Sequence, residues 1–593
     1  MPGADLELEK LRGDHKMKLS QILRRSWKYV KQEIWWIVFA LFFIGINVGI
    51  EVALPLFTKR FVEYLSEENI ANTTIQIIIG IAGGYLGLAV IGQGIGYLQA
   101  IILQKAGQRI VYNLRMEVFT HIENMSQNQF NEMPVGSLVT RVANYTASMS
   151  DLFTDVLVNL LRNLLTVISV FVIMLILSPR LSLFLLAFTL LAGVISYIFG
   201  HIIGKIFRRE RQYISDLNTF LSENLSGMKI IQVFNQEKRK KEEFDEKNWR
   251  LRRARYNVIL AFAVYRPTIN LLYYGAIAMT FGVGLSLALS SAEIVAFYLY
   301  LSRFFNPIQN IADQVNSIQR ALTASERLYN LLDVKPEVID KEGAMEIDRF
   351  KGKIEFRNVW FAYEEENWIL KDVSFVINPK ETVAFVGATG AGKTTILSLI
   401  VRNFEIQKGQ ILIDDIDIQD IKVDSIRKAV GQMLQDVFLF SGTIKTNITL
   451  HDENITDEEV IKACDYVNAS SFINQLPKKL DEEVIERGEN FSAGQRQLLS
   501  FARCVVHDPQ ILILDEATAN IDTETEVVIQ DSLEKIKNIG TMLVVAHRLS
   551  TIQHADNIIV LQNGEIIEQG NHQQLLKKKG HYYKLYQLQF ENK

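Results

Sequence analysis

The sequence predicts two unlike halves: an all-α membrane domain of six transmembrane helices with long cytoplasmic extensions, then an α/β domain of the phosphate-loop kind. Three observations carry that reading. Uncharged apolar stretches of bilayer length recur through the first 310 residues and then stop. The charge divides with them: residues 1–340 carry 35 Lys/Arg against 28 Asp/Glu, a balance of +7. Residues 341–593 carry 28 against 39, a balance of −11. In that second half a glycine-rich loop, Gly387-Ala-Thr-Gly-Ala-Gly-Lys-Thr394, stands between a strand-like and a helix-like run.

Composition sets the outer bounds. A chain of 593 residues is too long for one core, so several domains are expected. With 48% hydrophobic and 22% charged residues, it is neither disordered nor collagen-like nor a disulfide scaffold. The only cysteines, Cys464 and Cys504, lack paired spacing and read as reduced cytosolic thiols rather than a bridge or zinc site. No signal peptide is expected ahead of the first apolar stretch.

The spans follow in order. Ile34–Ile50 is uncharged, and apolar character resumes after Glu51 to Phe57. Asn69–Gln104 contains no charge. Asn163–Pro179 and Leu181–Gly204 flank a lone Arg180 and read as two spans joined by a tight turn. Thr268–Ala292 is uncharged, and Ile294–Phe305 is broken only by Arg303. The expected organisation is a cytoplasmic segment with an amphipathic elbow helix over 1–33, then a membrane domain over 34–325. Its helices are placed near 34–58, 75–104, 153–178, 181–204, 257–287 and 292–315. A linker over 326–350 leads to the α/β domain over 351–593.

Lys and Arg set the orientation. Six precede the first span, from Lys16 to Lys31, and fourteen lie between Lys205 and Arg255. Both termini and two long connections are therefore expected in the cytoplasm, in a cell-membrane protein. Acidic residues interleave with that basic run, so a solvated helical face near anionic lipid is the reading, not nucleic-acid binding. The connections keep helix-like spacing, as in Leu114, Val118, Ile122 and Met125, so the membrane helices should extend well into the cytosol. Short transverse segments are expected near Ser126–Met133 and Gln212–Asn224. The glycines from Gly80 to Gly96 permit close helix contact. Glu51, Arg162, Arg266 and Arg303 are ionisable residues at membrane depth, where such groups face a cavity or pair. Arg162 and Arg303 could instead snorkel to an interface. Glu51, about 26 Å along a helix from Ile34, is expected near the outer leaflet.

In the second half, Lys351–Ile377 alternates as strands do, and Thr382–Val386 leads into the glycine-rich loop. Gly387, Gly390 and Gly392 let backbone N–H groups turn toward phosphates, and the helix N-terminus adds its dipole. Lys393 would reach the β/γ-phosphates and Thr394 would hold Mg²⁺ through its hydroxyl. A second apolar strand, Ile511–Leu514, ends in Asp515-Glu516. One carboxylate there can orient Mg²⁺ through water and its neighbour can polarise an attacking water. These residues point to a nucleotide-binding domain, expected to take ATP and Mg²⁺.

Phe491-Ser-Ala-Gly-Gln495, followed by Arg496–Arg503, makes the resemblance specific. The chain resembles a half-transporter of the ATP-binding-cassette exporter family, of the multidrug and lipid type, over nearly its whole length. Pro134-Val-Gly136, Arg141 and Gly227 match in the membrane half. The resemblance implies that Tyr363 stacks on adenine and that Gln435 senses Mg²⁺ and the γ-phosphate. It implies Glu516 as general base and His547 as a γ-phosphate contact, with Thr395 and Asp522 as further nucleotide contacts. It also implies head-to-tail cassette dimers in which Ser492, Gly494 and Gln495 serve the partner's nucleotide. Glu486-Arg-Gly488 resembles the segment that touches the membrane domain's transverse helices.

Three departures stand out against the family pattern. Phe491 and Ala493 alter Leu-Ser-Gly-Gly-Gln, Ala519-Asn-Ile-Asp522 alters Ser-Ala-Leu-Asp, and Ala143-Asn144-Tyr145 alters Arg-Asn-Asp. An intact Glu516 beside an off-pattern signature resembles the catalytically complete subunit of a heterodimer whose other half-transporter lacks the glutamate. A homodimer stays open. The function implied is ATP-driven export or flipping of small amphipathic molecules. An ATP-gated anion channel and a homodimeric lipid or peptide exporter are the alternatives on the same scaffold.

Overall fold

Apolar stretches long enough to span a bilayer become helices that are longer still. The computed structural model describes residues 17, 19–65, 75–364, 367–433, 437–515, 523–545 and 552–590, without the side chains of Leu19, 308–316, 523–526 and 589–590. The chain divides into two units, one of Met1–Asn124 with Glu132–Lys335, the other of Met125–Asn131 with Pro336–Lys593.

In the first unit a short amphipathic helix, α1 (Leu19–Gln32), precedes six long ones. These are α2 (Ile34–Tyr64), α3 (Ile75–Glu123), α4 (Val135–Leu177), α5 (Pro179–Ser226), α6 (Glu237–Ser286) and α7 (Ser291–Leu332). Helices α3, α5 and α6 run 49, 48 and 50 residues. At 1.5 Å per residue each is about 72–75 Å long, more than twice the ~30 Å hydrocarbon core. Outward-facing Trp35, Phe42, Ile79, Leu86 and Val90 are exposed in the single chain, as lipid-facing residues are. Two π-helical turns, Arg141–Tyr145 and Leu152–Val156, interrupt α4. Ser178 separates α4 from α5, where Pro179 takes the first helical position.

Among the described residues, five of these helices are long and apolar enough by composition to cross a membrane. The expected sixth span, α7, is a continuous helix of 42 residues whose apolar run carries Arg303, Asn306 and Pro307. Two expectations are corrected. The transverse segment expected near Gln212–Asn224 is instead the continuous end of α5. The break falls at Gly227, and a six-residue helix, Met228–Val233, follows it. Finally, α2 does not stop near residue 58. Lys59 and Arg60 pair with Glu63, and Lys59 also with Glu293, so the helix continues to Tyr64. Glu51 therefore lies about 20 Å from that end rather than beside it.

The helices pack through a core that includes Ile44, Val48, Val170, Met174, Phe297 and Tyr300. Glycines shape one seam of it. A Cβ on Gly92 would stand 3.1 Å from Ile50, and one on Gly96 3.1 Å from Asn47, so α3 closes on α2 there. Gly80, Gly83, Gly87 and Gly94 have nothing within 4 Å, so only part of the glycine run serves this contact. At the other end of the unit, α1 is clamped. Arg25 forms a two-pronged pair with Asp333 at 2.6 and 2.9 Å, and Ser26 Oγ lies 2.8 Å from the Tyr329 hydroxyl.

The second unit is built on two main sheets and a small antiparallel pair, β7 (Gly442–Thr443) with β8 (Glu483–Val484). β1 (Ile354–Ala362), β2 (Trp368–Ile377), β4 (Lys408–Ile413) and β5 (Ile416–Asp417) form an antiparallel sheet in the order β2-β1-β4-β5. The six-stranded sheet runs β12-β11-β3-β10-β9-β6. Its strands are β3 (Thr382–Gly387), β6 (Val430–Met433), β9 (Ile511–Asp515), β10 (Thr541–Val545), β11 (Asn557–Gln562) and β12 (Glu565–Gly570). All pairs in it are parallel except β11 with β12. Strands buried on both faces read as continuous apolar runs, which is why Ile511–Leu514 and Thr382–Val386 were legible.

Candidate nucleotide site

In a parallel sheet, ligands bind outside the carboxyl ends of the strands. Here β3, β10, β9 and β6 lie side by side and end at Gly387, Val545, Asp515 and Met433. With strands about 4.8 Å apart, the phosphate loop after β3 and Asp515 on β9 are separated by β10, roughly 10 Å. Gln435, Glu516 and His547 lie outside the described residues, as does Asp522. Yet each of the first three stands only one or two positions beyond the end of β6, β9 or β10. The described phosphate loop and Asp515 thus share one edge of the sheet.

The loop itself is fixed by backbone geometry. Gly390 and Gly392 have φ of 82° and 101°, a region that L side chains avoid. A Cβ at Gly387 would stand 2.3 Å from the Leu561 carbonyl. Helix α8 (Lys393–Ile400) then starts at the loop, its first turn open to an anion. The Lys393 ammonium donates to the Gly387 and Ala388 carbonyls at 2.8 and 3.0 Å, which holds it over the loop. Thr394 is exposed beside it, and Thr395 is buried with its hydroxyl 3.1 Å from that of Tyr363. Tyr363 is 44% exposed, and its ring stands near-perpendicular to those of Phe361 and Phe404.

The signature lies at another helix start. Ser492 caps α9 (Ala493–Val506): its hydroxyl accepts from Gln495 N at 3.2 Å, and Gln495 Oε1 accepts from Ser492 N at 2.9 Å. Ser492 and Ala493 are exposed and Gly494 is buried. Phe491 is 5% exposed and packs edge-on against Phe472. The phosphate-loop helix belongs to one hydrophobic cluster with Phe385, Ile396 and Leu543, and the signature helix to another with Leu439, Phe491 and Leu498. Sequence reasoning missed the supports of this helix. Arg503 donates to the Asn447 and Phe438 carbonyls, and Arg496 to those of Gly488 and Phe491. Their only signal was a position one helical turn or more behind the signature. Cys464 and Cys504 are buried and unbridged, their thiols pushed up to about 12 by burial. That makes them poor nucleophiles.

A phosphate loop and an acidic strand end on one parallel-sheet edge define an ATP-binding domain, here joined to a helical membrane domain. The chain belongs to the ABC transporter family. Its residues 37–308 match the ABC transporter transmembrane region, and residues 370–519 match the ABC transporter domain. It is 38% identical, over 86% of its length and 76% of the relative's, to a Bacillus subtilis protein named as a probable multidrug resistance ABC transporter ATP-binding/permease protein, YheH. It is 34% identical to the ATP-dependent lipid A-core flippase of Syntrophus aciditrophicus, covering 84% of this chain and 83% of that one. A solved bacterial Atm1-family ABC exporter with ATP bound superposes with a TM-score of 0.78 at 25% identity, covering 94% of this chain and 98% of that one. The chain is thus a multi-pass membrane protein of half-transporter architecture that hydrolyses ATP in the service of transport.

Proposed function

We propose that this chain is one half of an ATP-driven exporter or flippase of amphipathic compounds, placed in the cell membrane with both termini and the nucleotide domain in the cytoplasm. The observation that carries the reading is the shared edge at which β3, β10, β9 and β6 end, with the phosphate loop and Asp515 on it; Gln435, Glu516 and His547 follow those strands in sequence. Lys393 and the loop N–H groups hold the phosphates, and Tyr363 offers its face to adenine. Mg²⁺ fits the donor set, since Thr394, Gln435 and Asp515 present only oxygen, the hard ligand it prefers. When bound, the ion neutralises phosphate charge. Glu516 takes the proton of the attacking water, and His547 contacts the γ-phosphate.

Two cassettes are needed in the head-to-tail arrangement that the resemblance implies, in which each ATP lies between one chain's phosphate loop and the other's signature. Ser492, Gly494 and Gln495 then serve the nucleotide of a second half-transporter. ATP joins the pair through charge-assisted contacts, hydrolysis releases them, and access to the membrane cavity alternates. The pairing we favour is a heterodimer. Phe491 is absorbed by packing, but Ala493 is exposed in the first turn of α9 and adds a methyl where a partner's nucleotide would approach.

The test is ATP hydrolysis by the chain purified alone and together with a second half-transporter. Glu516→Gln should lower turnover by about 10²-fold or more while ATP still binds, as loss of a general base does. Undiminished turnover would remove Glu516 from that role. Full activity of the chain alone would replace the heterodimer with a homodimer.

A further inference from the structure

The far end of the phosphate-loop helix carries a buried charge that the nucleotide site does not use. Arg402 follows α8 by two positions, is 1% exposed and is one of the largest fully buried side chains. A charge is kept in such a place only when it is paired and hydrogen-bonded. The guanidinium donates in three directions: Nε to the Glu405 carboxylate at 2.8 Å, Nη1 to the Ile421 carbonyl at 3.0 Å and Nη2 to the Ile339 carbonyl at 3.1 Å. Asp340 stands 3.6 Å from Nη1 as a second counter-charge. The Arg402 backbone has φ of 52°, a left-handed conformation that a bulky residue keeps only where its surroundings hold it.

Ile339 and Asp340 belong to the connection between α7 and β1, so Arg402 clasps that connection to the end of α8. Neighbouring bonds lay the connection down beside it. Asp340 Oδ1 accepts from Val423 N at 2.9 Å, Lys341 pairs with Asp420 at 2.7 Å, and Met345 N donates to the Asp420 carbonyl at 2.8 Å. Two residues ahead of Ile339, Glu337 accepts from the Ser126 hydroxyl at 3.0 Å. Ser126 is buried and caps the short helix Gln127–Asn131. Its hydroxyl accepts from Gln129 N at 3.3 Å, and its N–H donates to Gln129 Oε1 at 3.1 Å. This helix, the first of the two expected transverse segments, lies in the chain between α3 and α4. It nevertheless belongs to the second unit, together with Glu337 and Arg402.

The contacts run without a gap from the phosphate loop through α8, Arg402 and Glu337 to Ser126. Helix α8 spans about 10 Å and is stiff at that length. Contiguous hydrogen-bond networks and rigid elements of this kind are what carry coupling between distant sites. A staple serving only its own fold needs the bonds to Glu405 and Ile421; the bond to Ile339 and the Ser126–Glu337 contact reach beyond it. We propose that Arg402 is a positioning residue for ATP-driven transport, which passes the loading of the phosphate loop through Glu337 to the helix Gln127–Asn131. The route is separate from Glu486–Gly488 and lies within one chain. It rests on ATP binding at the phosphate loop, and on neither the heterodimer nor the substrate.

Hydrogen exchange read by mass spectrometry tests it on the assembled transporter in phosphatidylcholine nanodiscs, with a non-hydrolysable ATP analogue as the probe. The analogue should slow exchange in Gly387–Thr394. It should also slow exchange in Met125–Asn131 about tenfold, the scale of one added hydrogen bond in local stability. Arg402→Leu should keep the protection of the loop and lose that of Met125–Asn131, and Arg402→Lys should recover part of the loss. Glu337→Ala, an exposed change that leaves the core untouched, should give the same split and decides the matter where Arg402→Leu does not fold. A merely structural role would lower protection in both places together. Protection of Met125–Asn131 that survives Arg402→Leu or Glu337→Ala overturns the inference. Loss at both places in Arg402→Leu overturns it as well, since Arg402 would then support the loop alone.

Discussion

Tyr145 shows how a single departure from a family pattern can be absorbed. Its hydroxyl accepts from Arg327 Nη1 at 2.8 Å, and the same guanidinium lies over its ring at 5.9 Å. Arg141, buried, donates to the Arg327 carbonyl at 3.1 Å. A tyrosine can therefore still hold the arginine of α7 by hydrogen bond and cation–π contact, although it carries no negative charge. His507, which closes α9, yields a prediction at the same scale. Burial lowers its pKa from the ordinary 6.5, with Asp452 pulling the other way. The folded state then prefers the neutral ring, and protonation favours the unfolded chain. This contribution to stability is fully present above pH 6.5 and is lost as pH falls through the lowered folded pKa. Thermal unfolding of His507→Gln should depend less steeply on pH below 6.5 than that of the native chain. An unchanged slope would show that His507 titrates alike in both states.

At the scale of elements, the α2–α3 seam is held by absence of side chain. Gly96→Leu must displace Asn47, and Gly92→Leu must displace Ile50, each starting from a 3.1 Å contact already at Cβ. Overpacking of this kind costs about 1–3 kcal/mol. Gly87→Leu and Gly94→Leu, with nothing within 4 Å, are expected to be near neutral in the single chain. Melting temperatures of the four variants in detergent check the contrast, and equal losses at all four would mean the seam lies elsewhere. The sequence announced that glycines permit contact but not which of them make it, because that depends on helix rotation. The same limit governs Glu51 and Arg162: each was visible as a charge at depth, but their pairing spans 111 residues and only the fold creates it. By contrast, the phosphate loop was legible in full, since glycine spacing, the strand before it and the helix after it are all local. The second short helix was expected too early in the chain: α5 runs unbroken to Ser226, and the break falls at Gly227.

For the whole molecule, the two units have separate cores and unlike surroundings, so a ligand of one should not stabilise both. Binding to the folded state adds RT ln(1 + [L]/Kd), about 2.7 kcal/mol at a ligand concentration of 100 Kd. For a unit of this size each kcal/mol moves the midpoint by about 2–4 °C, so saturating ATP should raise the unfolding of the nucleotide-binding unit by roughly 5–10 °C. Glu516→Gln is the background for the measurement, since it keeps ATP from being consumed during the scan. Lys393→Ala should erase the shift, because the loop loses the ammonium that closes over Gly387 and Ala388. The transition of the helical unit should stay where it is in both variants, with tryptophan emission reporting it through Trp27, Trp35, Trp36 and Trp249 once Trp360 and Trp368 of the nucleotide-binding unit are replaced by Phe. A single transition that moves as one with ATP would show that the units unfold together. In that case nucleotide binding is felt as stability by the membrane helices, which is the coupling an exporter needs before it can move anything.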